Sequence, residues 1–221
     1  MTKWPYTKYS KINPKALRYF PFESPRRHQL EAISEILEAV DKGYRYIILE
    51  AGTGTGKSAI AATLARMFDT SYILTITKQL QDQYSRDFPD FRVVKGRSNF
   101  RCRMSNTTCD EGKCVLESHI CRYRIKDKVT EENTCPYRYQ KYLALESDVT
   151  IANYPYMFLE LNYVEDFTKR DLMICDEAHN IESMIMNQLI LEFSRTELKE
   201  YIRFNLSKTR VASLESGDYN V

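Results

Sequence analysis

A run of small residues ending in lysine and serine predicts a phosphate-binding loop. Residues 51–58 read AGTGTGKS, which matches the G-x4-G-K-[ST] pattern except that Ala51 replaces the first glycine. In such a loop the backbone N–H groups surround a triphosphate, the lysine reaches the β- and γ-phosphates, and the serine hydroxyl binds Mg²⁺. The predicted site for ATP and Mg²⁺ consists of Gly52, Thr53, Gly54, Thr55, Gly56, Lys57 and Ser58.

An acidic motif later in the chain supplies the matching carboxylates. The segment LMICDEAHN, residues 172–180, places Asp176 and Glu177 directly after an apolar run that predicts a strand. Ligands of parallel α/β sheets bind at the carboxyl ends of the strands. We expect Asp176 to hold Mg²⁺, mostly through water, and Glu177 to polarise the attacking water. His179 is predicted to couple this site to the rest of the molecule.

Five of the six cysteines crowd into one short segment. Cys175 stands apart, on the predicted strand of the acidic motif. The other five, which span 34 residues, are Cys102, Cys109, Cys114, Cys121 and Cys135. Disulfides are rare in a reducing compartment, so clustered thiols there indicate a metal site. Four thiolates suit either a [4Fe–4S] cluster or a tetrahedral zinc ion, and the spacing, which contains no C-x2-C pair, leaves both open.

The elements that must position these groups alternate between strand and helix. Apolar, β-branched runs predict strands at residues 44–51, 71–77, 91–96, 149–154 and 171–178. Helical spacing places Leu30, Ile33, Leu37 and Val40 on one face of a helix before the glycine-rich loop, and further helices follow the loop and the second strand. The last 40 residues are predicted to be mainly helical. Alternation of this kind predicts an α/β fold with a parallel, doubly wound sheet.

Regular patterning stops between residues 98 and 146. This segment is polar and has few aliphatic residues, so it cannot build a hydrophobic core of its own. It therefore needs a covalent or metal cross-link to fold. Residues 95–146 hold 11 Lys and Arg against 7 Asp and Glu, whereas the whole chain carries a net charge of only +2. Basic charge is therefore concentrated in the cysteine-rich segment.

Length and composition exclude several other classes of protein. A chain of 221 residues accommodates one α/β domain with an insertion, but not two domains of about 150 residues each. No apolar run approaches the roughly 20 residues that span a bilayer, and the polar N-terminal sequence is unlike a signal peptide. We expect a cytoplasmic protein with no membrane partner.

With both nucleotide motifs in place, the chain resembles superfamily-two DEAH-box helicases, and with the cysteines it resembles their XPD/DinG iron–sulfur group. The matching stretches, in order, are PRRHQ (25–29), AGTGTGKS (51–58), TITKQLQDQ (75–83), KGRSNFRC (95–102), TCDEGKC (108–114), CPYRYQKYLAL (135–145), VTIANYPYMF (149–158) and DEAHN (176–180). They cover roughly residues 20–180. The resemblance implies a RecA-like P-loop domain in two parts, residues 1–97 and 147–221, with an iron–sulfur insertion at residues 98–146. The second part would also include the start of a following helical region.

The resemblance also assigns residues that spacing alone does not. PRRHQ is similar to the group's adenine-side motif, which implies that Arg26 and Gln29 bind the nucleotide. For the cysteines, the resemblance favours a [4Fe–4S] cluster over zinc and implies four ligands. Cys102 and Cys135 match motif positions, and Cys121 is expected to be the third ligand. Cys114 is preferred to Cys109 as the fourth ligand.

The implied activity is ATP-driven DNA unwinding with 5′–3′ translocation on a single strand or at a fork. Seven basic residues of the insertion could follow DNA phosphates: Arg97, Arg101, Arg103, Lys113, Arg122, Arg124 and Arg138. Four aromatic residues could stack on bases: Phe100, Tyr123, Tyr137 and Tyr139. A role in DNA repair fits this group.

The motifs of a second RecA-like domain are not found before Val221. We therefore expect a missing C-terminal half or a separate chain to supply that domain, and the isolated chain to bind nucleotide weakly. The alternative is a non-motor module that binds nucleic acid or a partner and uses ATP only as a switch. A P-loop kinase is disfavoured because DEAH and the cysteine insertion have no role in phosphorylating a small acceptor.

Overall fold

The computed structural model describes residues 12–117, 120–124, 129–189 and 200. The helices are α1 (Pro14–Tyr19), α2 (Gln29–Asp41), α3 (Lys57–Met67), α4 (Lys78–Asp87), α5 (Lys113–Leu116), α6 (Pro136–Leu145), α7 (Tyr154–Leu159) and α8 (Ile181–Leu189). A π-helical turn, Glu160–Val164, continues α7.

The sheet has four parallel strands in the order β2-β3-β1-β4. These strands are β1 (Ser71–Thr75), β2 (Arg92–Val93), β3 (Val149–Asn153) and β4 (Leu172–Cys175). Ser71 is in register with Val149 on one side and with Leu172 on the other. Every residue of β1 is buried, as expected for a central strand covered on both faces. The predicted parallel α/β fold is confirmed.

Two hydrophobic clusters hold the helices to the sheet. The first includes Ala61, Ala62 and Ala65 of α3 with Ile73 of β1 and Ile151 of β3. Small alanines allow α3 to approach the strands closely, and the aromatic side chains at the end of α4 fill the space beside them. The second cluster joins α1, α2 and the other side of α3. Helix α3, which begins at the phosphate loop, is therefore fixed on both sides.

The predicted helical face before the loop is confirmed at its N-terminal half. Leu30 and Ile33 of α2 are buried, and Leu37 packs partly against the same cluster. Val40, one turn further on, is only half-buried. Helix α2 ends with Gly43 at φ +87°, a left-handed conformation that glycine adopts without steric cost.

The predicted strand at residues 44–51 does not form. Tyr46 is 92% exposed and Ile48 is 95% exposed, and no described residue pairs with this segment. A strand needs a neighbour to satisfy its backbone N–H and C=O groups, and β-branched composition alone does not supply one. Leu49 alone packs partly against the second hydrophobic cluster, so the segment reaches the phosphate loop without joining the sheet.

The cysteine-rich segment contains little regular structure, as predicted. An antiparallel bridge joins Arg101 to Thr108, α5 is a single turn, and α6 begins directly after Cys135. Helix α6 then leads back to β3 in the sheet. The segment is thus an insertion between β2 and β3.

The chain divides into two compact units, residues 1–182 and residues 183–221. The first unit contains the sheet and both hydrophobic clusters. Of the second unit the structure describes the end of α8 and residue 200, so most of the predicted C-terminal helical region lies outside the described residues. Among the helices that the structure does describe, none is both long and apolar enough to cross a membrane.

Candidate nucleotide site and cysteine pocket

The predicted phosphate loop lies directly before α3. Gly54 and Gly56 adopt left-handed conformations, with φ of +80° and +81°. The Thr55 hydroxyl donates a 2.8 Å hydrogen bond to the carbonyl oxygen of Gly52, which folds the loop back on itself. Lys57 is the first residue of the 11-residue helix. The loop therefore presents backbone N–H groups and a helix N-terminus at one point, the arrangement that binds phosphate.

Arg26 and Gln29 brace this loop from the side of α2. The Arg26 guanidinium donates a 2.6 Å hydrogen bond to the carbonyl oxygen of Gly54. The Gln29 side-chain amide donates to the carbonyl oxygens of Thr55 and Gly56, at 3.0 and 3.2 Å. Its oxygen accepts from the Arg26 backbone N–H at 2.7 Å. Both predicted adenine-side residues thus contact the phosphate loop, and Gln29 is only 3% exposed.

Gly56 is the position where the loop tolerates substitution least. A Cβ atom there would collide with the Gln29 amide nitrogen, and its backbone conformation is left-handed. Gly43 has a similar φ, but a Cβ atom there would meet nothing within 4 Å. Substitution of Gly43 by alanine would therefore add backbone strain alone. The same substitution at Gly56 would add strain and displace Gln29.

We expect Gly56→Ala to weaken ATP binding by about tenfold or more, because it adds roughly 1 kcal/mol of backbone strain and displaces Gln29. Gly43→Ala adds the same strain outside the phosphate loop, after α2, and is therefore expected to leave ATP affinity unchanged. Titration with a fluorescent ATP analogue measures both effects. Equal affinity in the two variants would show that Gln29 does not support the loop.

The acidic motif lies opposite the loop. Strand β4 ends at Cys175, and the two carboxylates follow it at the carboxyl edge of the sheet. One carboxylate oxygen of Glu177 lies 3.7 Å from the Lys57 ammonium nitrogen. Glu177 itself has φ +53°, a conformation uncommon for residues other than glycine. The sharp turn after β4 therefore brings the predicted catalytic residues Lys57, Asp176 and Glu177 together.

Two tyrosines that sequence reasoning missed hold Asp176 in place. The Tyr84 hydroxyl donates to the carboxylate of Asp176 at 3.3 Å, and the Tyr154 hydroxyl donates to its backbone carbonyl at 2.8 Å. Burial raises the pKa of Asp176 and the neighbouring Glu177 charge raises it further, while the Tyr84 hydrogen bond opposes both effects. Helical spacing within α4 could have predicted that Tyr84 is buried, but not that it contacts Asp176.

His179 lies at the outer edge of this site. Its Nδ1 atom is 3.4 Å from Glu177 Oε2, and its Nε2 atom is 2.7 Å from the side-chain nitrogen of Asn180. The imidazole is largely exposed. It is therefore close to the predicted catalytic carboxylate, while its own coupling role stays a prediction.

The five clustered cysteines line one pocket. Two arginines and one tyrosine complete its wall, and the full lining is Arg97, Cys102, Arg103, Cys109, Cys114, Cys121, Tyr123 and Cys135. The Sγ atoms of Cys109 and Cys135 are 3.8 Å apart. Cys175, which is partly exposed on β4, takes no part in this pocket. The structure thus brings together all four predicted ligands and Cys109.

The thiols of this pocket differ in acidity. A hydrogen bond from Ser105 lowers the pKa of Cys102. Burial raises the pKa of Cys109 to about 12, and the nearby Cys135 thiol adds to this effect. Burial also raises the pKa of Cys114, while the positive charges of Arg97 and Arg138 oppose the increase. Cationic side chains at the pocket favour thiolates there.

The pocket does not itself identify a bound metal. Across the described parts of the chain, no three His, Cys, Asp or Glu side chains converge closely enough to hold a metal ion. Both a tetrahedral zinc ion and a [4Fe–4S] cluster take four thiolates, and five thiols line this pocket. The predicted cluster is therefore not confirmed.

Several side chains that were predicted to contact DNA pack against other residues of the insertion. Tyr137 is buried, its ring lies against Phe100 and its hydroxyl is 3.3 Å from that of Tyr156, so its predicted stacking on bases is wrong. Arg97 covers the same ring, with 4.6 Å between guanidinium carbon and ring centroid. Arg103 and Arg122 lie over the ring of Tyr123.

Comparison with known protein families agrees with this geometry. The family model described as type III restriction enzyme, res subunit, matches residues 23–210. The chain belongs to this family. The match includes the phosphate loop, the cysteine pocket and the acidic motif.

Two curated proteins are similar to this res-subunit family member. A protein described as a probable ATP-dependent helicase from Methanocaldococcus jannaschii is 27% identical and covers 76% of this chain, which spans 30% of that protein. The UvrABC system protein B of Tropheryma whipplei is 31% identical over 38% of this chain and 13% of its own length. The chain thus spans less than a third of either relative.

Two solved structures have a similar fold. An XPD helicase matches with a TM-score of 0.53 and 20% identity over 76% of this chain and 35% of that chain. A truncated XPD matches with a TM-score of 0.53 and 18% identity over 83% of this chain and 62% of that chain. The predicted resemblance to the XPD group is confirmed.

Proposed function

We propose that this chain is the motor domain of a DNA helicase, which couples ATP hydrolysis to 5′–3′ movement on single-stranded DNA. The observation that carries the proposal is the 3.7 Å approach of Lys57 to Glu177. A phosphate-binding lysine and a water-activating carboxylate on opposite sides of one site are what hydrolysis of a bound triphosphate requires. The relatedness to a probable ATP-dependent helicase supports it.

Each residue of the site has a defined role in this proposal. The loop N–H groups and Lys57 bind the β- and γ-phosphates, and Ser58 with Asp176 holds the Mg²⁺ that neutralises them. Glu177 orients water toward the γ-phosphate. Arg26 and Gln29 contact the loop and would also bind the adenine, so that base binding and loop geometry would be linked. His179 transmits the state of Glu177 outward.

A helicase motor needs a second RecA-like domain to close over the nucleotide. We propose that a separate chain or a further part of the same protein supplies it, because the chain spans 35% of the XPD helicase that it matches. In this proposal residues 1–97 and 147–221 belong to the first RecA-like domain, and residues 98–146 form the insertion. Alone, the chain is expected to bind ATP weakly and hydrolyse it slowly.

We propose that the cysteine pocket holds a [4Fe–4S] cluster. The proposed ligands are Cys102, Cys114, Cys121 and Cys135, which all line the pocket. Arg97 and Arg103 add positive charge to its wall, which favours an anionic cluster. When bound, the cluster would supply mechanical rigidity, since an insertion so poor in apolar residues needs a staple. The basic residues around it would follow the DNA backbone.

The proposal is tested by ATP hydrolysis and DNA binding. Phosphate release from ATP and Mg²⁺ is measured with and without oligo-dT, and DNA affinity is measured at several salt concentrations. We expect slow hydrolysis and DNA binding that weakens with salt. Addition of the second RecA-like domain is expected to make hydrolysis DNA-dependent and to allow unwinding of a duplex with a 5′ single-stranded tail.

Three outcomes would contradict the proposal or part of it. Efficient DNA-stimulated hydrolysis by the isolated monomer would show that no second domain is needed. ATP and DNA binding without hydrolysis or unwinding, even in the presence of that domain, would favour the non-motor module that uses ATP as a switch. Unwinding from a 3′ tail alone would reverse the proposed polarity.

A further inference from the structure

The cysteine pocket holds one thiol more than a [4Fe–4S] cluster can bind. Each of the four irons takes one protein thiolate, while five cysteines line the pocket. The distances between the sulfur atoms therefore indicate which cysteines compete to bind the same iron. Sequence resemblance placed Cys109 in competition with Cys114, and the structure gives a different pairing.

Cys109 lies beside Cys135, not beside Cys114. The Sγ atoms of Cys109 and Cys135 are 3.8 Å apart, about van der Waals contact. Thiolates on different irons of a cubane stand at separate corners of the cluster, so they are held well beyond contact. Two sulfur atoms in contact therefore reach the same corner, where only one can bind.

The backbones of both cysteines are fixed by hydrogen bonds. The backbone N–H of Cys109 donates to the carbonyl oxygen of Phe100 at 2.8 Å, and that of Cys135 donates to the carbonyl oxygen of Tyr123 at 2.8 Å. The two thiols thus approach from separate parts of the insertion. Loss of one does not release the segment that carries the other.

The remaining thiols lie elsewhere around the pocket. A Cβ atom on Gly112 would be 3.4 Å from Cys102 Sγ and 3.8 Å from Cys114 Sγ, so these two cysteines flank the same glycine. With Cys121 they account for three corners. Among the described residues, the contact of sulfur with sulfur is that of Cys109 with Cys135.

We propose that Cys109 and Cys135 are interchangeable ligands for one corner of the cluster, so that either thiol completes the site with Cys102, Cys114 and Cys121. This inference rests on the cluster in the proposed function. It makes the insertion tolerant to the loss or oxidation of one of the two thiols. The other three ligands have no such substitute.

The experiment is anaerobic reconstitution of the full chain with ferrous iron and sulfide, followed by iron analysis and absorbance near about 400 nm. The variants are Cys109→Ser, Cys135→Ser, the double variant and Cys114→Ser, with Cys175→Ser as a control outside the pocket. Cys109→Ser and Cys135→Ser are each expected to retain most of the wild-type iron. The double variant and Cys114→Ser are expected to lose about tenfold or more.

The outcomes separate this inference from the proposed function. Iron loss in Cys135→Ser or Cys109→Ser as large as in the double variant would overturn interchange while leaving the cluster intact in the wild type. Wild-type protein that takes up zinc or no metal would overturn both. Binding of a fluorescent ATP analogue, which takes place outside the pocket, shows that each variant is folded.

Discussion

Lys57→Ala is expected to reduce ATP hydrolysis by about 100-fold or more and to weaken ATP binding. The ammonium group of Lys57 lies 3.7 Å from Glu177, and Lys57 follows the glycine-rich loop directly. Removing it takes away the charge that stabilises the phosphates in both the ground state and the transition state. Phosphate release under saturating ATP, with and without oligo-dT, measures the loss.

Glu177→Gln is the matched control for this substitution. The amide keeps the size of the side chain and the nearby Lys57, but it cannot act as a base. We expect the variant to bind ATP at least as well as the wild type and to lose hydrolysis by a factor similar to that in Lys57→Ala. If both variants hydrolyse ATP at the wild-type rate, this site does not carry the reaction.

The sequence was most informative where chemistry dictates local spacing. The loop, the helix that follows it and the acidic strand were all predicted, because the spacing of the glycines, lysine and serine defines the loop and the carboxylates follow an apolar run. The strand predicted before the loop does not form. The loop geometry agrees, with Gly54 and Gly56 at positive φ. Contacts between distant segments were harder to predict from the sequence. Nothing in the spacing indicates that Tyr84 and Tyr154 hydrogen-bond to Asp176.

Two failures have the same physical cause. Residues 44–51 have strand composition but no pairing partner among the residues that the structure describes, so Tyr46 and Ile48 are exposed. Tyr137 is an aromatic residue in a basic segment, which predicts stacking on bases, but its ring is buried against Phe100. Composition predicts what a residue can do, whereas tertiary neighbours decide what it contacts. The pairing of Cys109 with Cys135 likewise depends on a fold that brings residues 26 positions apart together.

Lys141→Met is expected to lower the free energy of unfolding by about 3 kcal/mol. The Lys141 ammonium lies 2.6 and 2.8 Å from the two carboxylate oxygens of Glu160 and 2.6 Å from Asp166. Glu160 is 3% exposed, so loss of the lysine leaves a buried carboxylate without its cation. The pair joins α6, which follows the cysteine pocket, to the turn after α7. Urea denaturation followed by circular dichroism measures the change.

Two controls test whether charge burial is the cause. Lys42→Met removes an exposed lysine whose 2.6 Å pair with Glu38 is open to solvent, and it is expected to leave the urea midpoint unchanged because exposed pairs contribute little. Lys141→Met combined with Glu160→Leu replaces the buried pair by apolar groups and is expected to recover most of the lost stability. A double variant no more stable than Lys141→Met would mean that packing, and not the unpaired carboxylate, accounts for the loss.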